Sequence, residues 1–307
     1  MTSAAKNAVL LLAHGSPSSV DDVPEFLLRV TGGRPLPPEA IKEVSHRYAA
    51  IGKSPLTELT LKQAELLAQE IAMPVYVGMR NWHPFVAQAL EQIQADGIRH
   101  ATVICLAPHN SRTSVGLYRK SLAESSNAGL TFDFVESWHD QPMLVRAFAE
   151  KLKTGFNKCG TGDGHPAIPV IFTAHSVPER TVAEGDPYET QARETAALVA
   201  KEVGLAQEQC EFAFQSQGMS GGPWLGPTVE DTILDLKRAG HSSVFIQPIG
   251  FLCDHVEILY DIDVVFKAFA ERNAMRLCRA ESLNDSPLLI SALADIVRSR
   301  MSVAATR

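Results

Sequence analysis

Two stretches of the chain hold the side chains that could do acid–base or metal chemistry. In the first, the apolar run Val170-Ile171-Phe172 leads into His175, Ser176 and Pro178, and a Gly185-Asp186-Pro187-Tyr188 punctuation follows. In the second, the ten residues from Asp254 to Asp263 carry four carboxylates (Asp254, Glu257, Asp261, Asp263) and one histidine. A neutral imidazole accepts a proton or ligates a metal near pH 7, and paired acids beside a histidine bind a divalent cation or move protons. If the second stretch is helical from Asp254 onward, Glu257 and Asp261 stand one above the other on one face. A capping role at a helix start explains Asp254, with the other acids complementing the helix dipole. It explains Glu257 poorly, because Ile258 and Leu259 next to it need burial and the turn leaves a strand end. A lone strand-end histidine such as His175 is as readily a residue satisfied in a core turn, so the surrounding elements must decide.

Those elements form an internal echo. The chain opens with Val9-Leu10-Leu11-Leu12-Ala13-His14-Gly15-Ser16-Pro17, an apolar strand ending in Ala-His like the one at His175. The stretch from Val75 to Arg80 answers Phe212 to Gly218, and TVICLAPH from Thr102 answers SVFIQPIG from Ser243. Apolar runs of this kind are strands of a parallel sheet buried on both faces, and ligands bind at their carboxyl ends. Three strand ends recurring in one order predict an α/β fold of two similar Rossmann-like half-domains, each a parallel sheet flanked by helices, facing each other across a cleft. The expected halves are 1–150 and 165–307, with the Gly-rich 154–169 as linker and the last helix, 287–301, packing back on the first half. His14 and His175 then both look into the cleft. The Gly/Pro-rich loop 31–38, with Arg29 and Arg34 close together, is placed to lie over it.

Composition narrows the function. The 307 residues, 45% of them hydrophobic, suffice for two ordinary cores. A net charge of −7 argues against a nucleic-acid partner. No apolar run approaches the length of a membrane span and no signal peptide is evident, so a cytoplasmic protein is expected. Cys105, Cys159, Cys210, Cys253 and Cys278 lack the spacing of a zinc site or a disulfide framework and are expected to be thiols. The glycines at 218–222 are not followed by the lysine of a phosphate-binding loop, which sets nucleotide binding aside.

The segments TAHSVPERTVAEGDPY, FQSQG with Trp224-Leu225-Gly226-Pro227, and PIGFLCDHVEILYDID resemble the signature segments of the ferrochelatases. The resemblance extends from LLLAHGSP through YAAIGKSPL and LAPHNSRTSVGLY to SLNDSPLLISALADIV, essentially the whole chain. It implies an enzyme of haem biosynthesis that inserts Fe2+, as substrate, into a porphyrin held in the cleft, with no tightly bound cofactor. His175 and Glu257 are then the catalytic pair facing one another over the macrocycle and the iron-handling groups, with Asp261 as a further metal donor. Arg29, Arg34, Ser111, Thr113 and Ser114 are the expected porphyrin-carboxylate binders and Trp224 a further porphyrin contact.

Three departures qualify the likeness. Short bacterial members continue the acidic stripe one turn past Asp261, where this chain has Val265, which puts an outer metal site in doubt. They often carry an iron-ligating tyrosine where this chain has His14, an expected axial ligand here. Iron–sulfur members use cysteines near the C-terminus, and none follows Cys278, so no cluster is expected. The short form resembles the coproporphyrin-using branch more than the protoporphyrin-using one, and a monomer is expected. The alternatives are a cobalt or nickel chelatase of a related tetrapyrrole pathway and a non-catalytic haem carrier, which would need an iron ligand but no opposing acid.

Overall fold

A computed structural model describes residues 7–125, 129–159, 168–218 and 222–305, with side chains to 302. In chain order the regular elements are β1 (Asn7–Ala13), α1 (Val23–Val30), α2 (Pro38–Ile51), α3 (Leu56–Ile71), β2 (Val75–Met79), α4 (Val86–Ala95), β3 (His100–Cys105), α5 (Val115–Glu124), β4 (Thr131–Val135) and α6 (Pro142–Cys159). They continue with β5 (Val170–His175), α7 (Glu179–Ala183), α8 (Tyr188–Val203), β6 (Cys210–Gln215), α9 (Val229–Arg238), β7 (Ser243–Pro248), α10 (Val256–Leu259), α11 (Lys267–Arg272), β8 (Arg276–Arg279) and α12 (Pro287–Ala305). A π-helical turn, Asp261–Phe266, joins α10 to α11.

The chain divides into two compact units, 1–107 with 114–137 and 284–307, and 108–113 with 138–283. Each holds one four-stranded sheet. The strand orders are β2-β1-β3-β4 and β6-β5-β7-β8, the same order twice, with every pairing parallel. The repeated strand ends therefore come from a repeated topology. In each sheet the strand that leads to the histidine, β1 before His14 or β5 ending in His175, is the one where the winding reverses. That point opens a crevice at the carboxyl edge.

In the first unit Leu10 and Leu12 of β1 and Val103 of β3 pack with Val86, Leu90 and Ile93 of α4 and with Val115 and Tyr118 of α5. The last helix belongs to this unit and lies against α3, where Arg298 pairs with Glu70. In the second unit Ile171, Ala213, Val244 and Ile246 meet Ile233 and Leu236 of α9, and Ile258, Ile262 and Phe266 close the same core. That four-residue spacing turns Ile258 and Ile262 inward, so Glu257 and Asp261, one position earlier each, emerge beside the core.

Three expectations are corrected here. The linker was expected to start at residue 154, but α6 runs on to Cys159 because Phe156 and Cys159 continue its buried face and Gly155 lets the helix press on the Phe245 ring. Residues 160–167 of the expected linker lie outside the described residues. Cys159 and Cys278 are not thiols: they form a disulfide, Cα atoms 6.3 Å apart, closing a loop with a sequence separation of 119. Strand β8 brings the second cysteine against the end of α6, a tertiary pairing that no local spacing announces. Residues 138–150, assigned by the sequence to the first half, belong to the second unit with the rest of α6.

Candidate active site

Strand β5 delivers His175 to the carboxyl edge of the second sheet. Its Nδ1 lies 2.5 Å from the Ser176 carbonyl oxygen. A carbonyl only accepts, so Nδ1–H is the donor there and Nε2 is the ring nitrogen left to face the crevice edge. That Nε2 stands 3.3 Å from Oε2 of Glu257. On the other side of the carboxylate, His255 donates Nδ1–H to the Cys253 carbonyl at 3.0 Å and turns Nε2 to within 3.8 Å of Glu257 Oε1. Glu257 thus lies between two imidazoles, each held by a backbone carbonyl through Nδ1 and turned towards the carboxylate through Nε2. The His175 and Glu257 side chains are 35% and 30% exposed, enough to meet a ligand, whereas His255, at 13%, is enclosed. Phe251 packs edge-on against His175, its ring centroid 6.4 Å away, and is 4.7 Å from His255; Trp224 is 6.5 Å from His175. The pair therefore has an apolar, aromatic wall. Among the described residues no three His, Cys, Asp or Glu side chains converge as a closed metal cage.

The neighbouring strand ends hold this pair in place. Gln215 sits beside His175 in the parallel register and donates Nε2–H to the backbone carbonyl of Glu257 at 3.0 Å. Ser216 follows and donates its hydroxyl to Asp261 Oδ2 at 2.6 Å, with its backbone at φ +59°, in the left-handed region a serine rarely occupies. The Gly250 backbone packs so closely on β5 that a Cβ there would lie 2.8 Å from the Ala174 Cα and 3.3 Å from the His175 nitrogen. Tyr188 donates its hydroxyl to the His175 carbonyl at 2.9 Å. Burial, with the charges of Glu257 and Asp186, holds that phenol above its usual range, so it remains protonated.

The carboxylate stretch differs from an ordinary helix. Its first helical residue is Val256, preceded by an extended His255, and Asp254 does not cap it: Asp254 accepts from Ser282 Oγ at 2.8 Å and lies 3.5 Å from Arg279. Past Tyr260 the ladder widens, with Val265 N–H bonding the carbonyl of Tyr260 five residues back, and Asp261 is buried on the Ser216 hydroxyl. Val265 is exposed one turn beyond.

In the first unit His14 repeats the His175 arrangement. Its Nδ1 is 3.0 Å from the Gly15 carbonyl, and Gly15 takes φ +83° with Trp82 packed where a Cβ would be. Phe26 packs edge-on against the His14 ring. Arg29 pairs with Glu25 and lies over the Phe85 ring at 4.6 Å, and Arg34 donates Nε–H to the Thr31 carbonyl; both are exposed. Ser114, at the start of α5, has a buried hydroxyl with no hydrogen-bond partner among the described residues.

Ser111 and Thr113 belong to the second unit. Ser111 is buried, its hydroxyl bonded to Asp186 at 3.1 Å and Thr113 at 2.8 Å. The expected carboxylate-binding role does not fit Ser111: an anion there would meet the Asp186 carboxylate, which also takes the Arg112 N–H. His255, Gln215, Ser216 and Tyr188 were absent from the expected site. His255 lay within the acidic stretch and Gln215-Ser216 at an echoed strand end, which were the available signals.

Comparison with known proteins gives three findings. The family model described as Ferrochelatase matches residues 6–301. A protein named Ferrochelatase from Acidobacterium capsulatum is 51% identical, covering 95% of this chain and 94% of its own, and one named Coproporphyrin III ferrochelatase from Geobacillus kaustophilus is 35% identical over 95% of each. Among solved structures, a sirohydrochlorin chelatase from Bacillus subtilis in complex with cobalt shares the fold, with a TM-score of 0.55 at 12% identity over 95% of this chain and 94% of that one.

Proposed function

The chain belongs to the ferrochelatase family and is a metal-insertion enzyme of haem biosynthesis; from that premise we propose that His175 and Glu257 are its catalytic pair and that coproporphyrin III is its preferred substrate. The observation that carries the pairing is the 3.3 Å approach of His175 Nε2 to Glu257 Oε2. Insertion requires the porphyrin to lose two pyrrole protons while Fe2+ sheds water. With Nδ1 held by the Ser176 carbonyl, the lone pair on His175 Nε2 takes a proton, and Glu257 stabilises the imidazolium that forms. Glu257 also offers hard oxygen to the incoming iron. An open set of donors suits a cargo ion, which must leave for the macrocycle, and His255 keeps the carboxylate aligned from behind.

His14 of the first unit is the proposed axial ligand to product iron; Arg29, Arg34 and Ser114 of the first unit and Thr113 of the second are the proposed partners of the porphyrin carboxylates, with Trp224 of the second unit against the ring. The preference for coproporphyrin is supported by relatives such as the Geobacillus kaustophilus protein. The same reading takes the protein to be a cytoplasmic monomer; size-exclusion chromatography and cell fractionation test that part, and the fractionation must account for the Cys159–Cys278 bond, since disulfides persist in oxidising compartments. No helix among the described residues is long and apolar enough to cross a membrane. The decisive experiment is an anaerobic absorbance assay with Fe2+ and, separately, coproporphyrin III and protoporphyrin IX. Faster metallation of coproporphyrin III is expected. Faster metallation of protoporphyrin IX would reverse the preference, and metallation of neither would remove the function.

A further inference from the structure

Strand β8 is a half-exposed edge strand, yet its last residue, Arg279, turns its side chain inward until only 15% of it is exposed. The guanidinium meets Asp263 as a fork, Nε to Oδ1 at 2.6 Å and Nη2 to Oδ2 at 2.7 Å. Its Nη1 lies 3.5 Å from Asp254 Oδ1 and donates to the Ala280 carbonyl at 3.0 Å. Asp254 receives a second bond from Ser282, three residues beyond Arg279. Burial alone would weaken the guanidinium's hold on its proton. The bond and charge of Asp263, with Asp254 and Glu281, more than reverse this.

These contacts have a direction. Asp254 stands just before Glu257 and Asp263 just after it, so one planar cation ties down both flanks of the segment that presents Glu257. Bidentate arginine–carboxylate pairing fixes geometry as well as charge, which a lysine cannot reproduce. The segment also concentrates four carboxylates, and without Arg279 the Asp263 carboxylate loses its two-pronged partner and the charge repulsion along the segment is less relieved. We infer that Arg279 is a positioning residue for Glu257, holding the carboxylate at its 3.3 Å separation from His175. This rests on the reading of Glu257 as a reacting group. Displacement of such a group by a fraction of an ångström is felt in turnover before it is felt in porphyrin binding.

The test uses the full chain with its disulfide intact and the variants Arg279→Lys, Arg279→Ala and Asp263→Asn. Read out are kcat for Fe2+ insertion, porphyrin Kd by fluorescence quenching, and the thermal midpoint. Arg279→Lys is expected to lower kcat about tenfold while porphyrin Kd stays within about twofold. Asp263→Asn should do the same, and the double variant should be no worse than either single one. A recess of about 120 Å³ lined in part by Lys151, Lys158, Glu281 and Arg279 itself borders the guanidinium, and millimolar guanidinium should restore turnover to Arg279→Ala and not to His175→Ala. The inference is overturned if Arg279→Lys and Asp263→Asn turn over at the wild-type rate, or if kcat falls only in step with the thermal midpoint and guanidinium restores nothing. Should the arginine variants fail to fold, Asp263→Asn alone decides. Wild-type protein inactive towards both porphyrins would remove the catalytic reading as well, whereas active wild type with indifferent variants removes only the role of Arg279.

Discussion

The Glu257 carboxylate is flanked by two histidines but approaches them unequally, 3.3 Å from His175 Nε2 and 3.8 Å from His255 Nε2. The nearer ring is the more exposed and comes from another element, so it is the one that can exchange a proton with a ligand. Glu257→Gln keeps the size of the side chain and removes its charge. Turnover should fall on the order of a hundredfold or more with porphyrin binding retained. Steady-state kinetics with fluorescence titration checks this, and a loss of tenfold or less would return Glu257 to a structural role.

Ser216 holds Asp261 from a backbone conformation that is unfavourable for serine by about 1 kcal/mol. Ser216→Gly should relieve that cost and remove the hydroxyl, leaving stability nearly unchanged while slowing insertion several-fold. Ser216→Ala removes the hydroxyl and keeps the cost, so it should be the less stable of the two by about 1 kcal/mol. Urea unfolding of both variants beside their kcat values separates the two effects.

His14 presents Nε2 in the manner of His175, its Nδ1 being held by the Gly15 carbonyl. Product haem is expected to show a histidine-type ferric spectrum, and His14→Tyr to add a phenolate-to-iron charge-transfer band, with turnover reduced only modestly. An unchanged spectrum in His14→Ala would show that His14 lines the pocket without ligating.

The strand ends were legible because parallel core strands are written as apolar runs and their polar ends stand out. His14, His175 and the 254–263 stretch were found in this way, and so was the duplication. What escaped notice depends on contacts distant in the chain. Strand β8 reads Arg-Leu-Cys-Arg, with no apolar run, because an edge strand needs none. Asp254 passes for a helix cap until Ser282 and Arg279 arrive beside it. The π-helical turn is a one-residue shift in hydrogen bonding and leaves the spacing of Ile258, Ile262 and Phe266 intact, so no periodicity marks it. Ser111 resembles a ligand-binding hydroxyl until Asp186 occupies it.

His109 is a buried histidine whose Nε2 lies 2.9 Å from Thr195 Oγ1; that hydroxyl itself donates to the His139 carbonyl at 2.8 Å, so the imidazole must be the donor. Burial, with His139 nearby, pulls its pKa down from 6.5 to about 3. The folded pKa is depressed, so the unfolded chain binds the extra proton first as the solution is acidified. The contribution of His109 is complete above pH 6.5 and is lost progressively as the pH falls from there towards 3. By pH 5 this amounts to about 2 kcal/mol. His109→Gln should flatten the fall in stability between pH 7 and 5, measured as urea midpoints; equal losses in both proteins would mean that His109 does not remain neutral.

The Cys159–Cys278 bond has a consequence beyond stability. It turns the backbone between those residues into a closed ring, and both His175 and Glu257 are inside it. One proteolytic cut within the ring leaves His175 and Glu257 on fragments still joined through sulfur, so cleavage alone cannot let them diffuse apart. A pulling force applied at the termini crosses from residue 159 to residue 278 through that same bridge, and β5, β6, β7 and the turn bearing Glu257 carry none of it. The proposed catalytic pair is thereby shielded from tension, and the load falls on the residues outside the ring, α12 among them.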